Sequence, residues 1–375
     1  MKKTCRNCGK EFEDRSTNQI AIWCSERCRH KGNAKLRNST LKIKEGGVEM
    51  KPNLVDVQEL ATAVIDKLQH SDIKLIVPKR RNLFRGKLLE TAVLLLSDIH
   101  SGQINKFCDP ESGKMETTYN TQIMKQEFDR LLDGIKSINE ILSHSYRLDK
   151  LYIFGLGDYI ENDVIYRGQR FFVDRGVGDQ LSTIVDILSQ LFTALLADFK
   201  EIEFICVIGN HGRFQMSHEA APTSNSFDYL MGKMLQIMFK DEKRVKITLP
   251  ESWYYFQKIY DWKYFLHHGD TVYSWMSLPY YGLKRQGTSR RVETPFDVEC
   301  IGHFHQIMTI PIGGNSKTIV NGSFIPKSDF GWKKFGILSK AEQYYFGVSP
   351  KRPRSWRWTI DLTHSLTEWK EVLRG

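Results

Sequence analysis

Five short words, each closing an apolar run and each carrying acid, amide or imidazole groups, follow one another along this chain of 375 residues. They are SDIHSG at 97–102, GLGDYIEND at 155–163, IGNHGR at 208–213, LHHGD at 266–270 and IGHFHQ at 301–306. An isolated Asp-x-His is usually an ordinary loop. Five such words in order, each where a strand gives way to a loop, instead deliver polar groups to one edge of an open sheet. Imidazole suits Zn, Mn, Fe or Ni, and carboxylate and amide oxygens suit harder ions. Two adjacent divalent metals, about 3.5–4 Å apart, need one bridging carboxylate. The D-x-H and H-x-H spacings predict alternate strand-end side chains on the same side.

From residue 92 onward, short apolar strands alternate with amphipathic helices. Strands are predicted at 92–97, 150–155, 203–208, 246–249, 263–267, 298–302 and 318–321, and helices at 120–143, 178–199 and 225–239. The early part reads β-α-β-α-β and the later part mostly strand. That order predicts an α/β sandwich with sheets inside and helices outside. The apolar runs are too short to cross a membrane. The N-terminus MKKTCRNCGKEFEDR is charged where a signal peptide needs an apolar stretch. The expected location is therefore the cytoplasm, with no membrane partner.

In this order the words resemble the calcineurin-like metallophosphoesterase superfamily, whose pattern is D-x-H, G-D, G-N-H, a later H-G and G-H-x-H. The resemblance runs from about residue 92 to 325 and implies a four-layer α/β/β/α sandwich. It also implies that Asp98, His100 and His305 bind one metal, that Asn210, His268 and His303 bind a second, and that Asp158 bridges. His268 is preferred to His267 because the family's ligand directly precedes glycine, here Gly269. His211 would face the substrate phosphate as proton donor or charge stabiliser. The implied cofactors are two divalent ions, with Mn favoured over Fe, Zn or Ni. One departure is Gly212, where relatives often carry the Asp or Glu that orients the histidine. Glu161 and Asp163 are the candidates to replace it. The overall plan also looks like phage and mobile-element phosphoesterases of the DNA repair exonuclease type, in which case the setting is the host cytoplasm.

Cys5, Cys8, Cys24 and Cys28 form C-x2-C, fifteen residues, C-x3-C. In a cytosolic chain that spacing predicts one structural zinc rather than disulfides. CRNCGKEFE and WCSERCRHKGNAKLR resemble small treble-clef zinc fingers of DNA-associated proteins, which implies a nucleic-acid or protein-docking module over residues 1–37. Residues 1–45 hold twelve Lys or Arg and five acids, a formal sum of +7 out of +10 for the whole chain. Four thiolates around one zinc reduce that positive charge. Residues 38–90 read as a linker containing an amphipathic helix at 54–69, able to pack on the main domain or to pair with a second copy. The main domain is expected over 91–375. Cys206 and Cys300 lie in apolar runs and are expected in the core.

The charge and the aromatics choose among phosphate substrates. The stretch 279–291 places Tyr280 and Tyr281 beside Lys284, Arg285, Arg290 and Arg291, and KRPRSWRW at 351–358 interleaves cations with Trp. Such pairs suit a flexible nucleic-acid backbone. The expected activity is metal-dependent hydrolysis of nucleic acid, DNA before RNA, with Asp158 and His211 catalytic and the four cations of 284–291 binding substrate. A phosphomonoesterase, or a DNA-binding protein with a vestigial metal site, are the alternatives.

Overall fold

The computed structural model describes residues 2–4, 11–13, 57–70, 75–214, 222–273, 279–327, 332, 336 and 338–364. The chain divides into two units, Met1–Val55 and Asp56–Gly375. In the first, β1 (Lys2–Thr4) and β2 (Glu11–Glu13) form an antiparallel pair with Lys3 opposite Phe12. Cys5, Cys8, Cys24 and Cys28, and with them the zinc module, lie outside the described residues.

The second unit opens with helix α1 (Val57–Gln69). Strands β3 (Leu88–Leu96), β4 (Asn105–Cys108) and β5 (Met115–Tyr119) precede helix α2 (Thr121–Leu142). Then come β6 (Tyr146–Leu156), α3 (Val177–Leu195), β7 (Glu201–Val207), α4 (Phe227–Met238) and β8 (Val245–Thr248). The C-terminal half holds β9 (Tyr254–Ile259), β10 (Trp262–His267), α5 (Pro279–Glu293), β11 (Val298–Ile301), β12 (Met308–Gly313), β13 (Ser316–Val320), β14 (Glu342–Val348) and β15 (Arg357–Asp361).

Two large sheets result, a six-stranded one in the order β15-β14-β3-β6-β7-β8 and a five-stranded one in the order β12-β13-β11-β10-β9, beside a two-stranded β4-β5 pair. β3, β6, β7 and β8 run parallel, as βαβ crossovers require. Strand β3 shows how the layers form. Ala92, Leu94 and Leu96 join a core shared with α2, α3 and α4, while Val93 and Leu95 join a second core between the sheets. Alternate side chains point to opposite faces, so a strand covered on both sides must be apolar throughout. The second core takes Tyr264, Leu266, Val298, Cys300 and Ile319 from the five-stranded sheet. On that sheet's outer face, Leu283 of α5 packs with Ile301, Ile310 and Val320. Helices, sheet, sheet and helix give the four-layer sandwich. Cys206 and Cys300 are buried within it.

The segment expected as a linker differs in part. Ala61 and Ile65 of α1, then Leu75, Val77 and Leu83, pack against the helix-side core, and Phe84 is buried. Arg81 pairs with the buried Asp198. Of the two arrangements expected for this helix, Ala61 and Ile65 thus take the packing on their own chain. Residues 279–291, whose cations were expected to bind substrate, lie in α5.

Candidate metal centre

All five words meet at the strand ends that open toward one edge of the sandwich. β3 ends at Leu96, and residues 98–101 pair through their backbone with the loop after β6: Asp98, Ile99 and His100 donate to the carbonyls of Gly157 and Asp158. The alternating-strand geometry expected for D-x-H and H-x-H does not occur. Asp98 (φ 54°), His100 (φ 50°), Asp158 (φ 56°), His303 (φ 71°) and His305 (φ 55°) all sit in the left-handed region. That conformation costs an L-residue roughly 1–2 kcal/mol and concentrates where function demands it. It turns the chain sharply after each strand, so the ligating side chains point back over the sheet edge.

The glycines in the words are needed for contact distance. A Cβ on Gly209 would lie 2.1 Å from Asp158 Oδ1, and one on Gly302 would lie 2.6 Å from Asp98 Oδ2.

Three overlapping donor groups result: Asp98, His100 and His305; His100, Asp158 and His211; and Asp158, His268 and His303. Asp98 Oδ1 lies 3.4 Å from His305 Nε2, and His305 Nε2 lies 3.3 Å from His100 Nε2. Asp158 Oδ2 lies 3.0 Å from His268 Nε2 and 3.9 Å from His100 Nε2, so it reaches both clusters. His268 Nε2 is 2.8 Å from Asn210 Oδ1 and 3.2 Å from His303 Nδ1. The structure therefore brings together Asp98, His100, Asp158, Asn210, His268, His303 and His305, with His211 beside them.

Five of the seven ligands are oriented from behind. His100 Nδ1 donates to Glu161 at 2.8 Å and His268 Nδ1 donates to the Leu156 carbonyl at 2.6 Å, which leaves Nε2 of both rings for a metal. Asn210 gives its amide hydrogen to Tyr166 Oη at 2.8 Å, turning its oxygen into the site. The His211 amide donates to Asp158 Oδ1 at 2.8 Å, and the His303 amide to the Asp98 carboxylate at 3.0 Å.

Asp98, Asp158 and Glu161 are buried carboxylates with histidines as their compensation. Burial alone would push Glu161 up, but the His211 and His100 rings pull it to about 2. Burial alone would push His211 down, but Glu161 and Asp158 raise it to about 9. The same contest, led by burial and overturned by Asp158, lifts His268 to about 10. His303 goes the other way, to about 4, through burial and the neighbouring His268 charge. Imidazole nitrogens facing each other at 3.2 and 3.3 Å across an excess of buried negative charge fit divalent cations.

His267 stands apart. As the last residue of β10 it points to the sheet's outer face, where Nε2 meets Glu299 at 2.9 Å and Arg290 at 3.1 Å. This gives Arg290 of α5 its partners. Arg290 also reaches Glu299 at 3.3 Å, Arg291 donates to Ser316 at 2.6 Å, Lys284 caps the Pro311 carbonyl, and Arg285 is exposed. Three of the four hold the helix to its sheet.

Glu161 is the group that addresses His211, with its carboxylate 3.1 Å from Nδ1. Its place three residues after Asp158 put it among the candidates; only the loop's path selects it. Gln169, Tyr166 and Asp228 carry no motif signal. Asp228 fills the space beside Gly212, where a Cβ would meet its Cγ at 2.7 Å, and it accepts from the Gly209 amide at 2.8 Å.

Residues 91–309 match the model of the family described as calcineurin-like phosphoesterase. No curated protein matches the chain. Among solved structures it is similar to a conserved uncharacterized protein, a predicted phosphoesterase, from Streptococcus pneumoniae TIGR4. The identity there is 10% and the TM-score 0.31, over 74% of this chain and 94% of that one. Vacuolar Protein Sorting 29 from Cryptosporidium parvum is similar at 12% identity and TM-score 0.31, over 72% and 96%. A 5'-nucleotidase from Candida albicans SC5314 is similar at 13% identity and TM-score 0.34, over 76% of this chain and 53% of its own.

Proposed function

The chain belongs to the calcineurin-like phosphoesterase family, a family of metal-dependent phosphoester hydrolases, and from that premise we propose that it is a phosphodiesterase acting on nucleic acid, DNA before RNA. Asp98, His100 and His305 would hold one divalent cation, Asn210, His268 and His303 the other, and Asp158 both. Cations held there supply a water ionised near neutral pH and offset charge on the phosphoryl oxygens. The chain's own groups do the rest. Protonated His211, held by Glu161, gives its proton to the leaving oxygen. The Asp158 side chain fixes the His211 backbone, and Glu161 fixes the His100 ring.

The observation that carries the nucleic-acid part is a cavity of about 540 Å³ whose lining begins at Ile307, two residues after His305. Lys317, Arg354 and Arg357 line it together with Tyr344 and Trp358, and no acid does. Arg354, Arg357 and Trp358 come from the basic-aromatic stretch 351–358. A polyanion with stackable bases suits such a lining. The basic N-terminal segment, read as a zinc-dependent docking module, adds to the same reading.

The test is parallel incubation with Mn and single-stranded DNA, duplex DNA, bis-p-nitrophenyl phosphate or p-nitrophenyl phosphate, with Asp158→Asn as control. Cleavage of DNA and the diester by the wild type alone is the expected result. Turnover of the monoester alone would replace this reading with a phosphomonoesterase.

A further inference from the structure

The metal ligands do not by themselves hold a long substrate. The segment between Asn162 and Asp174 runs along the site and is fixed at several points. The Gln169 side-chain oxygen accepts from the amides of Ile165 (3.0 Å) and Tyr166 (3.1 Å), and its amide nitrogen donates to the Glu161 carboxylate at 2.8 Å. The Tyr166 hydroxyl is tied to Asn210, and its ring centre lies 5.1 Å from that of His211. Ile104 donates to the Phe172 carbonyl at 2.7 Å and Asp174 to the Gly102 carbonyl at 2.8 Å.

A segment so anchored nonetheless presents its apolar rings to water. Phe171 is 72% exposed, Phe172 62% and Tyr166 42%. Arg167 and Arg170 are exposed among them, with the Arg170 guanidinium 5.3 Å from the Phe171 ring centre. No acid lies between Asp163 and Asp174. Adjacent exposed phenylalanines gain nothing in the free protein, and clustered exposed apolar surface marks a binding face. Aromatic rings interleaved with arginine, against a phosphoester site, match unpaired bases and the phosphates between them.

We propose that Tyr166, Arg167, Arg170, Phe171 and Phe172 form a platform for single-stranded nucleic acid, stacking unpaired bases on the rings and delivering the adjoining phosphate to the metal centre. The proposal rests on the nucleic-acid reading above and adds the form of strand and the surface that holds it. Paired bases cannot reach the rings, so single strands are favoured over blunt duplex.

The experiment compares kcat/KM on an end-labelled single-stranded oligonucleotide with kcat/KM on bis-p-nitrophenyl phosphate. It uses the full chain, Phe171→Ala/Phe172→Ala, Phe171→Tyr/Phe172→Tyr and Arg167→Ala/Arg170→Ala. The double alanine variant should lower the strand-to-diester ratio by about tenfold or more, and the tyrosine pair should restore it. An unchanged ratio in an enzyme that cleaves the strand overturns the platform and leaves the nuclease reading standing. Parallel loss of both rates also overturns it, because the rings then serve only the fold. A wild type that hydrolyses the small diester but no nucleic acid overturns the nuclease reading, and the platform with it. Phenylalanine-dependent association with protein alone would assign the face to a protein partner.

Discussion

At the scale of single residues, the site depends on where each buried charge finds its partner. Glu161 serves two rings, the buried His100 and the partly buried His211. Replacing it with Gln keeps the shape but removes the charge that holds His211 protonated. Glu161→Gln should therefore lower kcat by roughly tenfold to a thousandfold at saturating metal, with little change in KM, read by steady-state kinetics on bis-p-nitrophenyl phosphate. Glu127, on the inner face of α2, is a different case. It is buried, one of its carboxylate oxygens has no partner, and burial raises it from 4.5 to about 9 despite Arg130. The folded state therefore retains a proton that the unfolded chain releases. The sign follows: stability is full below about 4.5 and falls by roughly 1.4 kcal/mol per pH unit as pH rises toward about 9. Glu127→Gln should remove that decline, so its gain in melting temperature is larger at pH 8 than at pH 5. Equal shifts at both pH values would contradict the assignment.

At the scale of elements, α5 is held by charge as much as by apolar contact. Arg290 lies over Trp253 and Phe265 and reaches both His267 and Glu299 beneath the helix. Thr318 also donates to Glu299. Burial would raise Glu299, yet His267, Thr318 and Arg290 keep it below its usual range. Removing one member leaves the buried carboxylate undercompensated. Arg290→Ala should cost about 1–3 kcal/mol in urea unfolding with an unchanged m-value. The expectation that these cations bind substrate was drawn from spacing in the sequence, which shows the cations and hides their partners. Glu299 and Ser316 come from strands that follow the helix in the chain. The helix itself was illegible because its residues show almost no apolar periodicity, and Leu283 and Gly287 are its buried positions.

At the scale of the whole molecule, the second unit closes five loops from two sheets around one cluster of buried acids and imidazoles. Divalent cations that bind the folded cluster and not the unfolded chain must stabilise it by mass action. At a hundred times the dissociation constant the gain is about 2.7 kcal/mol. Mn added to chelator-stripped protein should raise the melting temperature in a concentration-dependent way, and Asp158→Asn should reduce the rise. A melting curve indifferent to Mn, Zn and Fe would rule out a working metal centre. Among the described residues no helix is long and apolar enough to cross a membrane.

Much of this arrangement was legible before any coordinate. Apolar runs two-sided enough to be central strands, and ligand words at their ends, are local patterns, and local patterns survive in one dimension. The strands β3, β6, β7, β10, β11 and β13 and the helices α2, α3 and α4 stand within a few residues of their predicted places. The edge strands β12 and β15 escaped because their runs are short and broken by polar residues. What only the tertiary structure decided are the relations between loops far apart in the chain. It set the left-handed turn at five ligands, the choice of Glu161 to orient His211, the opposite faces of His267 and His268, and the exposure of Phe171 and Phe172 in the loop after β6. Identity and spacing in the sequence determine which donors exist. Their convergence depends on backbone conformations and contacts across more than two hundred residues, such as His303 against Asp98, which no periodicity encodes.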